Sequence, residues 1–356
     1  MMCRIKPVAA IGVPGLSASG RRGTQERGAI MRAVWYERNG EARDVLTFGD
    51  MPVPEPQPGE VRVRLATSGV NPSDVKARAG RTRKIAWPRV IPHSDGAGVI
   101  DAVGQGVPAS RIGERVWVWN AQWKRAFGTA AEFVTVPAAC AVPLPDGVSF
   151  EAGACLGIPA MTAAHVVATA ETWAGSTLLI SGGAGAVSHY AIQFAKARGA
   201  VVITTVSSPA KAEMARAAGA DHVVDYRRED VGAAVAELTG GAGVDAVIEL
   251  DIAANAGLLP TVLRPKGTVV IYGTGAMDGP VPLYFCLSNA ITLRFVFVYE
   301  LSDQERAVAL ATIGDALAAN RLAHNIAEVL PLEAAAAAHE MVESGRVVGN
   351  VVLRIG

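Results

Sequence analysis

The sequence predicts an α/β protein in two parts, a β-rich first part and a doubly wound parallel sheet. Three observations carry this. From Met31 to about Phe150, short alternating stretches are punctuated by proline. From about Glu151, continuous apolar runs alternate with helical stretches. Half of the 356 residues are hydrophobic and 19% are charged, enough for a sizeable core.

In the first part, Val61-Arg62-Val63-Arg64-Leu65 alternates with period two, as a half-buried strand does. Val99-Ile100, Val116 to Trp119 and Phe133 to Val136 are further strands, separated by clusters such as Pro56-Gln57-Pro58-Gly59. In the second part, Thr177 to Ile180 is apolar throughout, the pattern of a strand buried on both faces. A glycine-rich turn and a helix from Tyr190 to Arg198 follow, then a strand from Val201 to Val206 and a helix from Pro209 to Ala218. Val223-Val224, Val244 to Ile248, Thr268 to Ile271 and Ile291 to Val298 continue the strands. Helices from Asp303 to Ala318 and Leu332 to Ser344 flank a short strand near Ile326. A last strand, Val347 to Leu353, needs a sheet to join and is expected to return to the first domain. The expected division is 31 to 152 with 298 to 356, interrupted by 153 to 297.

Residues 1 to 30 carry five basic side chains against one acid and show no periodicity, so they read as a disordered extension, with a targeting peptide as the alternative. Lys+Arg and Asp+Glu both number 33, which argues against a nucleic-acid or acidic-membrane partner. No apolar run reaches the roughly 18 residues of a membrane span. Cys3, Cys140, Cys155 and Cys286 lie far apart, which suggests neither a disulfide framework nor a cysteine-rich zinc lobe and fits a reducing cytoplasm.

The sharpest motif is Ser181 to Lys196, SGGAGAVSHYAIQFAK. Gly183 and Gly185 match the first two glycines of GxGxxG between a strand and a helix. The first allows the tight turn; the second lets backbone approach a pyrophosphate, which the helix N-terminus attracts. Ser188 holds the third glycine position and should push helix and strand slightly apart. The second strand ends in Ser207-Ser208-Pro209-Ala210-Lys211, with no acid to bind a ribose hydroxyl. Ser207 and Lys211 instead suit a 2′-phosphate, with Tyr226 as an aromatic wall and Arg227 as a second cation, so the cofactor expected is NADPH.

SGVNPSD at Ser68, SDGAGVI at Ser94, the glycine turn, GADHVVDY at Gly219 and VVGNVVL at Val347 come in order. Together they resemble the quinone oxidoreductase, or zeta-crystallin, branch of the medium-chain dehydrogenase/reductases. The resemblance implies a GroES-like domain with an inserted Rossmann domain and NADPH between them. It implies that Ala184, Gly185, Ala186 and Val187 meet the pyrophosphate. Ile271 to Thr274, including Gly273, and Val296, Phe297 and Val298 would flank the nicotinamide, with Asn71 at the reacting end. It also implies a homodimer. Lys76 stands where the family often has tyrosine, Asn350 where it often has lysine, and His93 at a usual glycine position. The cysteine and histidine that hold catalytic zinc in related alcohol dehydrogenases are replaced within Val70-Asn71-Pro72 and by Ser94, so no metal is expected.

The expected reaction is metal-free hydride transfer from NADPH to quinones or activated C=C or carbonyl compounds, with Asn71, Lys76 and Thr162 near the reacting atoms. Trp119, Trp123 and Tyr284 are candidates for the substrate pocket, Tyr284 equally for a partner-facing surface. The alternatives are a carbonyl or enoyl-thioester reductase, and a protein that binds NADPH without catalysis.

Overall fold

The computed structural model describes residues 29–171 and 173–356. The N-terminal extension therefore lies outside the described residues, except that Ile30 already opens the first strand, Ile30–Trp35.

The β-rich part is built on the long strand Glu60–Val70. Val61, Val63 and Leu65 point into the core, while Arg62 and Arg64 alternate to the other face. Antiparallel neighbours follow through Asp95–Val103, Arg115–Val118 and Ala141–Pro143, and Phe133–Pro137 pairs with the start of the long strand. On the other side lies the last strand of the chain, Asn350–Arg354, with Val351 opposite Val70 and Arg354 opposite Thr67. The C-terminus thus completes the first sheet, and Val351 and Leu353 bury their side chains beside Val63 and Ile100. Each such aliphatic side chain stabilises the fold by roughly 1.5–3 kcal/mol. This strand starts later than the sequence suggests. Gly349 has φ +117, and a Cβ there would press on Asn325, so the chain turns at that point and becomes extended only afterwards.

The second sheet has six parallel strands in the order His222–Asp225, Val201–Val206, Thr177–Ile180, Val244–Glu249, Leu263–Ile271 and Thr292–Phe295. Numbered along the chain this is 3-2-1-4-5-6, the Rossmann order. Its switch point falls between Thr177–Ile180 and Val244–Glu249. Leu178, Leu179 and Ile180 are buried because helices cover both faces. The helix after the glycine turn runs Ala186–Ala197, beginning four residues before the expected Tyr190 because Gly185 itself ends the turn. The expected strand over Ile291 to Val298 is only Thr292–Phe295, since as the edge strand it has a single neighbour, and it gives way to a tight turn at Val298–Glu300. Beyond it, the helix Asp303–Ala318 is capped by Ser302 and Glu305 in a reciprocal box and lays Ala309, Ile313 and Leu317 against the helix Met161–Thr169.

Candidate active site

The glycine turn lies at the C-terminal end of the central strand, at the switch point. Gly182 takes φ +67, and its N–H donates to Thr205 Oγ1 at 3.1 Å. Gly183 N–H donates to the Thr205 carbonyl, and a Cβ on Gly183 would overlap the Thr204 hydroxyl, so the turn can only hug the neighbouring strand without a side chain. Gly185 is the exposed N-cap of the helix, and the first bond along the helix is His189 N–H to Gly185 O. The N–H groups of Ala186, Val187 and Ser188 precede that bond and face out of the helix end. Ser188 does not disturb the packing. Its hydroxyl donates to Ser181 O at 2.7 Å and pairs with the Tyr272 hydroxyl at 3.0 Å, tying helix to strand. From the returning C-terminal segment, Asn325 Nδ2 donates to Ala184 O at 3.0 Å and fixes the turn from outside. Under the turn, the buried Glu249 carboxylate accepts from Ser181 Oγ, Asp251 N–H and Asn255 Nδ2, so its charge is fully engaged by donors.

At the end of the second strand, Ser208 caps the helix Pro209–Ala217 and Lys211 turns back over it. Lys211 Nζ donates to Ser207 Oγ at 3.1 Å, and among the described residues no carboxylate bridges it. Tyr226 is 52% exposed beside it, anchored by its N–H on Val206 O. This corner offers a cation, hydroxyls and an aromatic face. It suits a phosphate monoester next to a purine; the segment Val206 to Lys211 itself carries no acid, while Asp225 lies across from Val206 on the neighbouring strand, 3.7 Å from the Arg228 guanidinium.

The two parts of the chain meet along the helix Pro72–Arg78. Asn71 caps it; its N–H donates to Asp74 Oδ2 at 2.9 Å, and its Nδ2 donates to Asp95 Oδ2 at 2.7 Å. Ile158 N–H also donates to Asp95 Oδ2, while Asp95 Oδ1 is buried without a partner. Burial raises the Asp74 carboxyl to about 6, and burial together with the Asp74 charge raises Asp95 as well. Lys76 Nζ crosses to Thr274 O at 3.2 Å. Tyr299 donates its phenol to Ser73 Oγ at 2.7 Å, and Asn120 Nδ2 reaches Tyr299 O. Trp123 lies with its ring centroid 4.6 Å from Tyr299 and 5.4 Å from Phe297. Thr162 is buried on the helix Met161–Thr169.

Two of the pocket candidates are placed as follows. Trp119 is 5% exposed and packs in the core with Cys155 and Ala154, its ring beneath the Arg306 guanidinium. Tyr284 is 82% exposed on the helix Leu283–Ser288, beside the edge strand, and points to solvent rather than into the cleft. Ile271 and Val298 are likewise core side chains, able to meet a ligand only through backbone. Sequence reasoning missed the Tyr299–Ser73 and Asn325–Ala184 contacts, which join residues 226 and 141 positions apart in the chain.

Comparison with known proteins gives the class first. Residues 57–146 match the alcohol dehydrogenase GroES-like domain, and residues 186–313 match the zinc-binding dehydrogenase family. The 2-haloacrylate reductase of a Burkholderia species is 31% identical over 337 residues, covering 91% of this chain and 98% of that protein. Among solved structures, an NAD-dependent alcohol dehydrogenase superposes with TM-score 0.84 at 33% identity, over 92% of this chain and all of that one. Escherichia coli quinone oxidoreductase complexed with NADPH superposes with TM-score 0.81 at 26% identity, over 91% of this chain and 99% of that one. The chain belongs to the medium-chain dehydrogenase/reductases, in their quinone oxidoreductase branch.

The residues here do not fit the zinc in the family model's name. An amide from Asn71 and a hydroxyl from Ser94 stand where thiolate and imidazole would be needed, and among the described residues no three His, Cys, Asp or Glu side chains converge. Cys155 is the thiol near Asp95; burial pushes it up and keeps it protonated, and it donates to Glu151 O.

Proposed function

We propose that this chain transfers hydride from NADPH to small quinones or activated C=C compounds without a metal ion. The observation that carries this reading is Lys211 over Ser207, a cation and a hydroxyl on a segment that itself carries no acid, at the strand end next to the glycine turn. Under this reading the backbone N–H groups of Ala184 to Val187 hold the pyrophosphate, with Gly183 and Gly185 keeping the approach open. Ser207, Lys211 and Tyr226 hold the adenosine end. Backbone from Ile271 to Thr274 and from Val296 to Val298, with Phe297 and Thr162, frames the nicotinamide. When bound, that cofactor supplies hydride from C4. Asn71 donates toward charge gathering on the acceptor oxygen, Trp123 supplies an apolar wall, and Lys76 closes the mouth against Thr274. The 2-haloacrylate reductase relative supports an activated C=C bond as one acceptor class.

We propose the domain division at 152/153 and 297/298, and a homodimer. Among the described residues no strand pairs with the outer side of the edge strand Thr292–Phe295, and Leu283, Tyr284, Leu287 and Phe295 are each at least 72% exposed in its vicinity. An unpaired edge beside so much exposed apolar surface suits pairing with a second copy. No described helix is long and apolar enough to cross a membrane; the described cysteines are free thiols, which supports a reducing cytoplasm.

The test is NADPH consumption with a panel of quinones, enones and haloacrylates. Turnover with at least one acceptor class, unaffected by chelators, is expected; no turnover with any overturns the reading.

A further inference from the structure

The roles assigned above leave one pair of hydroxyls unused. Tyr299 sits on the turn Val298–Glu300, directly after the segment proposed to frame the nicotinamide, and its phenol donates to Ser73 Oγ at 2.7 Å, 226 positions away. Ser73 follows Asn71 by two residues. The bond therefore spans the two halves of the molecule at the reacting end.

Three observations separate this pair from a structural tie. First, the buried Ser94 hydroxyl, 1% exposed, lies close enough to the Tyr299 phenol to favour its ionised form, so a second donor besides Ser73 is at hand when the phenol gives up its proton. Second, the Tyr299 ring is fixed between Trp123, 4.6 Å away, and Phe297, 5.2 Å away, so its hydroxyl is held in place before anything binds. Third, burial and the Asp74 charge hold the phenol far above its ordinary range. It stays protonated and acts as a donor, not as a base.

We infer that Tyr299 is the proton donor to the acceptor's carbonyl oxygen, with Ser73 relaying its replacement. This rests on the reductase reading. The acceptor gains a hydride, with its electron pair, at the electron-poor carbon. The π electrons shift through the conjugated system to the carbonyl oxygen. The Tyr299 O–H bond breaks as a new O–H bond forms on that oxygen. To do so the phenol hydrogen turns from Ser73 Oγ to the acceptor; the phenolate then takes the Ser73 proton, reversing the bond seen in the structure, and Ser73, only partly buried, takes one from water. Each turnover consumes one hydride and one solvent proton; an enone leaves as its enol, and a quinone reduced at a ring carbon leaves as the keto tautomer, which becomes the hydroquinone by losing its C–H proton to water and taking one on oxygen.

The experiment is steady-state NADPH oxidation by the full chain with an enone and a quinone, in H2O and D2O, for wild type, Tyr299→Phe and Ser73→Ala. Phenylalanine keeps the stacking on Trp123 and loses only the hydroxyl. Tyr299→Phe is expected to lower kcat about 100-fold, to leave the KM for NADPH within about twofold, and to lose the solvent isotope effect of wild type. Ser73→Ala is expected to lower kcat about tenfold and keep that effect. If Tyr299→Phe melts early, Ser73→Ala and the wild-type isotope effect decide. Turnover by wild type with Tyr299→Phe within threefold of it, or a Ser73→Ala rate equal to wild type, overturns the inference and leaves the reductase reading standing. A wild-type protein inert toward every acceptor overturns both.

Discussion

His93 Nε2 lies 2.9 Å from His339 Nε2, the two rings stacked with centroids 5.1 Å apart in the interior of the β-rich domain. The proton order along this chain is set from its far end. Thr129 donates to Asp95 O, so it accepts from Ser68. Ser68 in turn accepts from His93 Nδ1–H, which makes His93 Nε2 an acceptor and His339 Nε2 the donor. His339 Nδ1 is then a buried acceptor without a partner. Both rings are neutral: burial lowers His93 to about 3, and burial together with His93 and the Arg78 guanidinium lowers His339 well below the usual range.

The consequence is acid sensitivity. Below the ordinary histidine value near 6.5 the unfolded chain binds two protons that the folded chain refuses, so stability falls as pH drops from about 6.5 toward 4. The slope is at most about 1.4 kcal/mol per pH unit for each ring. Asp74, raised to about 6, acts in the opposite sense: the folded chain binds its proton first, so it gains stability as pH falls through that value. Urea unfolding of wild type and a His93→Leu/His339→Leu double variant at pH 7.5 and 5.0 separates the two effects. The double variant is expected to lose much less stability than wild type on acidification; equal losses would contradict the neutral-pair assignment.

Asn71→Asp should be severe for a different reason. It removes the amide that donates to Asp95 Oδ2 at 2.7 Å and places a third carboxylate beside two buried ones. A loss of about 3 kcal/mol at pH 8 is expected, shrinking below pH 6 as the carboxyls share protons. Chemical denaturation at the two pH values checks this, and a loss independent of pH would contradict it.

The legible parts of this molecule were those whose meaning is local. A strand, a glycine turn and a helix are consecutive in the chain, so Gly183 and Gly185 could be read before any fold was known, and the absence of an acid between Val206 and Lys211 followed from counting along the next strand. The start of the helix was misplaced at Tyr190 because Ala186 to His189 carry no apolar period of their own; it is Gly185 that sets their conformation. Trp119 and Trp123 look alike in sequence, yet Trp119, just past the strand Arg115–Val118 and bonded by its N–H to Cys140 O, packs in the core, while Trp123 stacks on Tyr299. Tyr299 and Ser73 meet only because the C-terminal half folds back across the helix Pro72–Arg78, and nothing within a sequence window announces that contact.

The exposed edge gives a prediction about assembly. Leu287→Glu combined with Tyr284→Glu puts charge beside the strand Thr292–Phe295 without touching the core, since both side chains are at least 80% exposed. Light scattering should find wild type as a dimer and the double variant as a folded monomer. A wild-type monomer, or a dimer unchanged by the substitutions, would contradict the proposed pairing.

The proposed adenosine corner also gives a prediction about coenzyme choice. Reversing its charge with Lys211→Glu should weaken NADPH binding at least about tenfold, near 1.4 kcal/mol, while changing NADH binding little, because in the proposed arrangement only the 2′-phosphate would face that ammonium. Fluorescence titration with both coenzymes reads this, and a parallel loss for both would show that Lys211 acts on the helix and not on the phosphate.

The most direct measurement is calorimetric titration of wild type with NADPH and with NADH under the same conditions. Tighter binding of NADPH by about tenfold or more is predicted from Lys211 and Ser207. Equal affinities, a preference for NADH, or binding of neither would contradict the account.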